Sequence, residues 1–541
     1  MRFVGAASLL ALSLLGVALA IGVARAEEVE YYVDPVNGDD ANNGSSWASA
    51  LRTITRVTEL VGAQTDPLLY LAEGVFSQET GERFPITFSK PPSITGVSPD
   101  SSIIDAGSSV GILENTPPTP WGLGDWLLAS LRIQAHSQDG QPISSSSLNM
   151  QAGGAFFENV HFVGLSAPGD ACIISLAMGH AGGLPLQFTD CLFLDCSGRW
   201  LLTPECSPFA RIQRCLFTRC FLNNDRDAET MPCGAYLIDC RFQGPGCFEG
   251  FDASWELLYL NCAFEDYYLQ IFPGQPVGHA GRIYWPGRDV IGCSFKNSTV
   301  QIVAYGEGAD FRLCAFDPAS ELIIVDGSAS VCGSCSSFLD EDPDDEFCLM
   351  EGIEGNPMFV AGPLGGCYLS NRASGQMFSS PCLSGNNEPY RGWPPEGSTT
   401  RTDGVPDGPP YDLGYHYPSV PPPPPAVAVR TNRAEYAVGD EMKAFMTYEN
   451  RGVKVEGAIY FAFGPDTLDW LIFWPWMTFV PTPWFSGTLY SGVSYQNLPP
   501  TTHTIPESLA PGGYLWLGAV LASDGTFASD VALCPVTIRA D

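Results

Sequence analysis

A four-residue pattern that recurs along the middle of the chain constrains its fold more than any other feature. Each copy carries an apolar residue, most often Cys, at its second position and another, most often Phe, at its fourth. The copies end at Ile133, Phe162, Phe193, Phe217, Phe242, Phe264, Phe295 and Phe316, so successive copies lie 21 to 31 residues apart. A period of this length is typical of proteins built from stacked repeats.

The spacing within each copy predicts a β-strand, because apolar residues alternate with polar or small ones. One such strand cannot bury its inner face alone. Stacking of successive coils places each Phe and each Cys over its equivalent about 4.8 Å away. We therefore expect a tube whose interior holds a column of Phe and a column of cysteines, namely Cys191, Cys215, Cys240, Cys262, Cys293 and Cys314.

These cysteines lack the paired spacing of a metal site, and each lies two positions before an apolar Phe. The sequence favours free, buried thiols. Disulfides between coils and a metal site are the alternatives. Cys196 and Cys220 each follow a column cysteine by five residues, which predicts a second, more peripheral pair.

The coil pattern resembles that of the pectin-lyase-like right-handed parallel β-helix proteins secreted by bacteria. Two flanking segments strengthen the resemblance. Residues 31–86 are similar to the uncharacterised domain that opens many of these proteins, and residues 356–382 and 403–417 are similar to their last coil and closing tail. The resemblance covers residues 30–418 and implies a right-handed parallel β-helix. It leaves activity open, because this architecture hosts lyases, hydrolases and non-enzymes.

The chain divides into five predicted segments. Residues 1–26 have the basic start, apolar run and small-residue cleavage site of a signal peptide, with an uncleaved anchor as the alternative. Residues 27–93 form an N-terminal cap and first coil, including a helix over 50–61 with Thr53, Ile54 and Val57 facing inward. The β-helix follows over 94–385, then a closing tail and proline-rich linker over 386–425. Strand patterns over 426–541 predict an immunoglobulin-like β-sandwich, so the fold class is all-β.

The net charge of −34, from 60 acidic and 26 basic residues, argues against nucleic acid and anionic lipid as partners. It is compatible with cations and with neutral or basic ligands. The signal peptide predicts a secreted or cell-surface protein with no membrane span after cleavage. We expect polysaccharide or cell-surface components as partners.

Three groups of side chains are candidate sites. Asp190 and Asp239 share one register and are candidate catalytic carboxylates, although turn-forming Asp is common at such positions and Arg214 separates them. Trp474, Trp476 and Trp484 could stack on sugar rings, or could instead fill the sandwich core. An acidic run could supply oxygen ligands to calcium, the one cofactor that the sequence suggests, or could be a solvated loop. Its residues are Asp340, Asp342, Asp344, Asp345 and Glu346.

Three functions fit these features. Strong fold signals beside sparse active-site signals favour a non-catalytic secreted or cell-surface protein with an adhesive, structural or ligand-binding role. The scaffold, the acidic surface and the tryptophans suggest a polysaccharide lyase or glycoside hydrolase acting on an extracellular polysaccharide. Carbohydrate binding without turnover lies between the two.

Overall fold

The computed structural model describes residues 27–61, 65–108, 111–115, 125–135, 148–152, 154–178, 186–202, 210–223, 234–249, 256–271, 277–279, 282–284, 287–303, 309–326, 329–332, 335–336, 347–350, 353–385, 393–475 and 477–540. The chain forms two compact units. The first contains residues 1–185 and 199–204, and the second contains residues 186–198 and 205–541. Within the described residues, no helix has the length and apolar character needed to cross a membrane.

The first unit is a stack of parallel strands with one capped α-helix after the first strand. The helix Ile54–Leu60 starts after Thr53, whose side chain accepts a hydrogen bond from the Arg56 N–H. Thr53, Ile54 and Val57 are buried, as predicted. The strands are Glu27–Val33, Thr65–Leu71, Gly74–Ser77, Ile86–Phe88, Ser93–Thr95, Ser102–Asp105, Leu113–Asn115, Trp126–Gln134, Leu148–Ala152, Ala155–Val163 and Ser166–Met178, and the short 3₁₀ helices are Trp47–Ser49 and Gln78–Thr80.

The second unit contains parallel coils whose strands pair in register, with shifts at Gln243/Gly246 and Ile302/Val303. Leu192–Leu194 pairs with Leu216–Thr218, and Leu216–Thr218 pairs in turn with Arg241–Glu249. The strands of the coils are Leu186–Thr189, Leu192–Leu194, Ala210–Gln213, Leu216–Thr218, Phe221–Asn223, Gly234–Ile238, Arg241–Glu249, Glu256–Leu260, Ala263–Ile271, Gly287–Ile291, Ser294–Lys296, Thr299–Val303, Ala309–Arg312, Ala315–Phe316, Glu321–Asp326, Ala329–Cys332, Cys335–Ser336, Phe347–Met350 and Ile353–Glu354. Ser197–Leu202 is a further strand, and Val277–His279 and Arg282–Tyr284 form an antiparallel pair.

The predicted column of Phe rings is present. Phe193, Phe217, Phe242, Phe264, Phe295 and Phe316 stack face to face. Their centroids are 4.6, 4.7, 4.6, 5.1 and 4.6 Å apart, and adjacent planes lie within 10° of parallel. These distances follow from the strand spacing of about 4.7–4.9 Å, because each ring sits over its equivalent one coil away.

The column of cysteines is also confirmed, and its members are free, buried thiols. Each thiol donates to a backbone carbonyl two residues earlier, as Cys191 does to Thr189 and Cys215 to Gln213, both at 3.4 Å. Cys196 and Cys220 form the expected second pair of buried free thiols. Among the described residues, no cluster of His, Cys, Asp or Glu is arranged to hold a metal ion.

A closing tail and a sandwich of antiparallel strands complete the second unit. The tail contains the strands Phe359–Gly362, Gly365–Leu369, Ser398–Thr399 and Tyr417–Pro418 and the 3₁₀ helix Arg372–Ser374. One sheet of the sandwich has Ala426–Thr431, Glu441–Asn450 and Val493–Thr504, and the other has Glu435–Tyr436, Ala532–Ile538, Gly512–Ala522, Val455–Pro465, Ile472–Phe473 and Phe485–Leu489. The predicted all-β fold class, a right-handed parallel β-helix followed by a β-sandwich, is confirmed.

Candidate ligand-binding cleft

Each coil of the second unit turns a corner at one residue with a left-handed backbone, and these corner residues form a row. The φ angles are 55° at Asp190, 53° at Arg214, 56° at Asp239 and 53° at Asn261. Asp and Asn tolerate this conformation, whereas Arg adopts it at a cost of roughly 1–2 kcal/mol. The cysteine after each corner is buried, so the corner side chain itself lies on the outside of the coil.

Asp190 and Arg214 occupy equivalent corners of successive coils and form a bidentate ion pair. Arg214 Nε donates to Oδ1 of Asp190 at 2.7 Å, and Nη2 donates to Oδ2 at 2.7 Å. The hydrogen bonds to Asp190 raise the pKa of Arg214. Both carboxylate oxygens therefore already accept a charged donor, and Asp190 is held in one orientation.

A second pair with the same geometry lies at the next corner along each of these two coils. Arg219 donates to Asp195 through Nε at 2.7 Å and through Nη2 at 2.8 Å. Their backbones are also left-handed, with φ of 51° and 55°. This second pair does not line the cleft described below. The chain thus contains two equivalent ion pairs that differ in their surroundings.

Asp239 occupies the corner after Arg214 and is held more loosely than Asp190. Its Oδ1 accepts a hydrogen bond of 2.8 Å from Nδ2 of Asn261. Burial raises the pKa of Asp239, and the contacts with Asn261 and Arg214 offset only part of that effect. No other described side chain donates to this carboxylate, so an oxygen remains available for a ligand.

The closing tail is fastened over the row of corners by buried hydrogen bonds. Asn261 accepts from the His416 N–H at 2.7 Å and donates to the His416 carbonyl at 2.9 Å. The Tyr415 N–H donates to Ser294 Oγ at 2.8 Å. Gly414 fits this close approach because its φ is +92° and a Cβ there would lie 2.5 Å from Ser294 Oγ.

A cleft of about 640 Å³ lies between the corner row and the tail. Its coil side is lined by Asp190, Arg214, Asp239 and Arg241, and its tail side by residues 395–398, 415–416 and 418–420. Arg241 donates to the carbonyl of Leu364, which also lines the cleft. Among the described residues, Arg241 has no carboxylate partner. The cleft therefore presents one fixed ion pair, the carboxylates of Asp239 and of the exposed Glu396, and the guanidinium of Arg241.

A group of buried polar side chains within the closing tail stabilises its conformation. His416 Nε2 lies 3.3 Å from Oδ2 of Asp407, and Thr400 Oγ1 donates to Asp412 at 2.5 Å. Burial lowers the pKa of His416 to about 3 and raises that of Asp407 to about 7, and the nearby Asp412 contributes to the latter shift. Both side chains are almost fully enclosed, so they hold the tail in place.

The structure brings together one of the three groups of candidate residues. Asp190 and Asp239 both line the cleft, with Arg214 between them. The sequence did not identify Arg241 or His416 as parts of this site. Arg214 occupies a corner position whose left-handed backbone favours Asp or Asn. An Arg at such a position in the sequence could have indicated an ion pair, because the interaction of its side chain offsets the cost of that backbone conformation.

The other two groups lie elsewhere. Trp474 and Trp484 are partly buried and pack against the sandwich core, and Trp474 contacts His503 edge-on with ring centroids 4.0 Å apart. Trp476 lies outside the described residues. The same holds for the proposed calcium ligands Asp340, Asp342, Asp344, Asp345 and Glu346.

Comparison with known proteins gives one match. Residues 36–116 match the family described as "Protein of unknown function (DUF1565)", which is often found in pectin-lyase-like β-helix proteins. The matched segment lies within the first unit and is a small part of the chain. No curated protein matches the sequence.

Proposed function

We propose that this protein is an extracellular, non-catalytic carbohydrate-binding β-helix protein whose ligand lies in the cleft between the corner row and the tail. The cleft itself is the observation that carries the proposal. Its volume of about 640 Å³ suits a few sugar residues, because small-ligand sites generally measure about 300–1,000 Å³.

The polar groups of the cleft match a neutral, hydroxyl-rich ligand. Carboxylates accept hydrogen bonds from sugar hydroxyls and guanidinium groups donate to them. The available oxygen of Asp239 and the available N–H groups of Arg241 provide one group of each kind. The net charge of −34 disfavours a highly anionic ligand.

The geometry favours binding over turnover. Glycoside hydrolysis needs two carboxylates that are free to act as acid and as base or nucleophile. Both oxygens of Asp190 accept N–H groups from Arg214, so Asp190 is unsuited to either role. Asp239 is the remaining carboxylate of the coil corners, and Glu396 is an exposed side chain of the tail, so the fixed row of corners holds no two free carboxylates.

One observation favours hydrolysis as a second candidate function. Burial raises the pKa of Asp239, and a raised pKa suits a carboxyl group that must donate a proton near neutral pH. Its second carboxylate would then be Glu396 on the tail side of the cleft, or Asp190 if substrate binding broke the Asp190–Arg214 pair.

The test uses the two equivalent ion pairs as site and control. Purified protein is screened on a glycan array, and the dissociation constant of a retained glycan is measured by calorimetry. We expect Arg214→Ala and Asp239→Ala to weaken binding by about tenfold to a hundredfold, since a hydrogen bond to a charged group contributes roughly 1.5–3 kcal/mol. Arg219→Ala, which breaks the matched pair outside the cleft, should leave the dissociation constant unchanged.

Two results would count against the proposal. Equal weakening by Arg214→Ala and Arg219→Ala would mean that the ion pairs act through stability and not through the cleft. Release of reducing ends from the bound glycan, abolished in Asp239→Asn, would replace binding by hydrolysis.

A further inference from the structure

His416 and Asp407 meet inside the closing tail in a way that requires a proton between them. Nδ1 of His416 lies 3.0 Å from the carbonyl oxygen of Gly414, and because a carbonyl only accepts, Nδ1 carries a hydrogen. The other ring nitrogen, Nε2, is therefore an acceptor when the imidazole is neutral. Nε2 lies 3.3 Å from Oδ2 of Asp407, so two acceptors face one another unless a proton joins them.

Burial makes this proton necessary. The side chain of His416 is fully buried, and that of Asp407 is 5% exposed. Among the described residues, Nε2 of His416 has no other hydrogen-bond partner. Without the proton, the lone pair of Nε2 would face a carboxylate oxygen in a space that water does not reach, which is unfavourable. Because burial lowers the pKa of His416 to about 3, the proton belongs to the carboxyl group and His416 accepts the hydrogen bond.

The groups around Asp407 place the loss of this proton near neutral pH. Burial, together with the neighbouring carboxylate of Asp412, raises the pKa of Asp407 to about 7. The Thr400 N–H, which donates to Oδ2 of Asp407 at 2.6 Å, and the guanidinium of Arg401 act in the opposite direction. Arg401 is already held by Asp403 through two hydrogen bonds, so it offsets only part of the shift.

His416 also joins the tail to the row of corners. Its backbone N–H donates to Asn261 at 2.7 Å, and its carbonyl accepts from Asn261 at 2.9 Å. Nδ2 of Asn261 donates in addition to Oδ1 of Asp239, which lines the cleft. The ring of Trp393 packs edge-on against the ring of His416, with centroids 4.8 Å apart. Asn261 and Trp393 carry no charge, so neither compensates for the loss of the proton, and a shift of His416 changes the surroundings of Asp239.

We propose that the His416–Asp407 contact is a pH-sensitive switch, which holds the tail over the row of corners while the proton is present and releases it when the proton is lost. A group whose pKa is raised on folding contributes stability at low pH that is lost as the pH rises through the raised value. The tail should therefore be closed at about pH 6 and loosened at about pH 8.5. The switch acts on a wall of the cleft and does not depend on which ligand the cleft binds.

The test is hydrogen exchange of the full chain without ligand, measured by mass spectrometry at about pH 6 and about pH 8.5 and corrected for the intrinsic rate at each pH. The amides of Gly414, Tyr415 and His416 donate to coil residues and report on release of the tail. We expect them to exchange about tenfold to a hundredfold faster at the higher pH, because a buried acceptor is then left unpaired. Amides of the strand Leu216–Thr218 should change by less than about twofold.

Two variants identify the titrating group. Asp407→Asn has no proton to lose in this range, and His416→Gln carries an amide that donates to Asp407 at any pH. In each, the tail amides should exchange at the same corrected rate at both pH values, and either variant is sufficient if the other fails to fold. Glu396→Gln removes an exposed carboxylate from the same tail, and as the matched control it should keep the pH dependence of the wild type.

Two results would overturn the proposal. The first is a wild type whose tail amides exchange at the same corrected rate at both pH values. The second is a pH dependence that persists in Asp407→Asn or in His416→Gln, because the titrating group would then lie elsewhere. Since no ligand is present in these measurements, neither result bears on the proposed carbohydrate binding.

Discussion

Replacement of Phe242 by alanine measures how much the Phe column contributes to the stability of the coils. Phe242 is fully buried and stacks on Phe217 at 4.7 Å and on Phe264 at 4.6 Å. Phe-to-Ala changes in a core cost about 3–5 kcal/mol, and each aromatic pair adds about 0.5–1.5 kcal/mol. Because two stacked pairs are lost, we expect about 4–5 kcal/mol, near the upper end of the range for one substitution.

The assay must report on the coils alone, because a chain with more than one domain does not unfold in a single transition. Native-state hydrogen exchange meets this need. In Phe242→Ala, amides of the neighbouring strands Leu216–Thr218 and Ala263–Ile271 should exchange about a thousandfold faster, which corresponds to about 4 kcal/mol.

Two further variants separate stacking from volume and from general effects of substitution. Phe242→Leu refills most of the space but cannot stack, so its cost should be about 2 kcal/mol. Phe221→Ala removes a ring that is 54% exposed and should cost less than about 0.5 kcal/mol. If Phe242→Ala changes exchange no more than Phe221→Ala does, the columns do not stabilise the coils and the reasoning fails.

Three other changes test the remaining features. The raised pKa of Asp407, about 7, gives stability that is present at low pH and is lost as the pH rises from about 4 through about 7. The stability of Asp407→Asn relative to the wild type, measured by thermal denaturation, should therefore increase by about 4 kcal/mol between pH 4 and pH 8. A difference in stability that does not change with pH would refute this. Gly414→Ala should lower the melting temperature and open the tail to protease, as its Cβ would lie 2.5 Å from Ser294 Oγ. The column thiols, exemplified by Cys215, whose pKa burial raises, should not react with a thiol reagent until the chain is unfolded.

Local periodicity explains why so much of the coil architecture was predictable. The alternation around Phe217 specifies a strand with one inward face, and its recurrence near Phe242 and Phe264 specifies the stacking partner. Because the strands pair in parallel and in register, each Phe ring lies directly over the equivalent ring of the neighbouring coil, which gives the observed stacking. The helix Ile54–Leu60 was predicted a little too long, over 50–61, because Thr53 is its cap and not its interior.

The sandwich shows where the same reasoning reached its limit. Residues 514–521 lie in the strand Gly512–Ala522, and their apolar run does not alternate as a strand with one face in water would. The run alone therefore does not indicate which side chains face the core, and the burial of Trp516 depends on the pairing of this strand with its neighbours. Trp474 and Trp484 had two possible roles in the sequence, and their packing against the core depends on contacts that only the folded sheets create.

The sequence by itself determined the coils and their inner columns, because both depend on a pattern that recurs along the chain, and it favoured the free state of the column thiols, which the structure shows. Only the tertiary structure decided the cleft. Asn261 and His416 are 155 residues apart, and no local pattern indicates that the tail returns to cover the corner row. The pairing of Arg214 with Asp190, and the freedom of Asp239 and Arg241 to meet a ligand, arise from that long-range contact and from the register of successive coils.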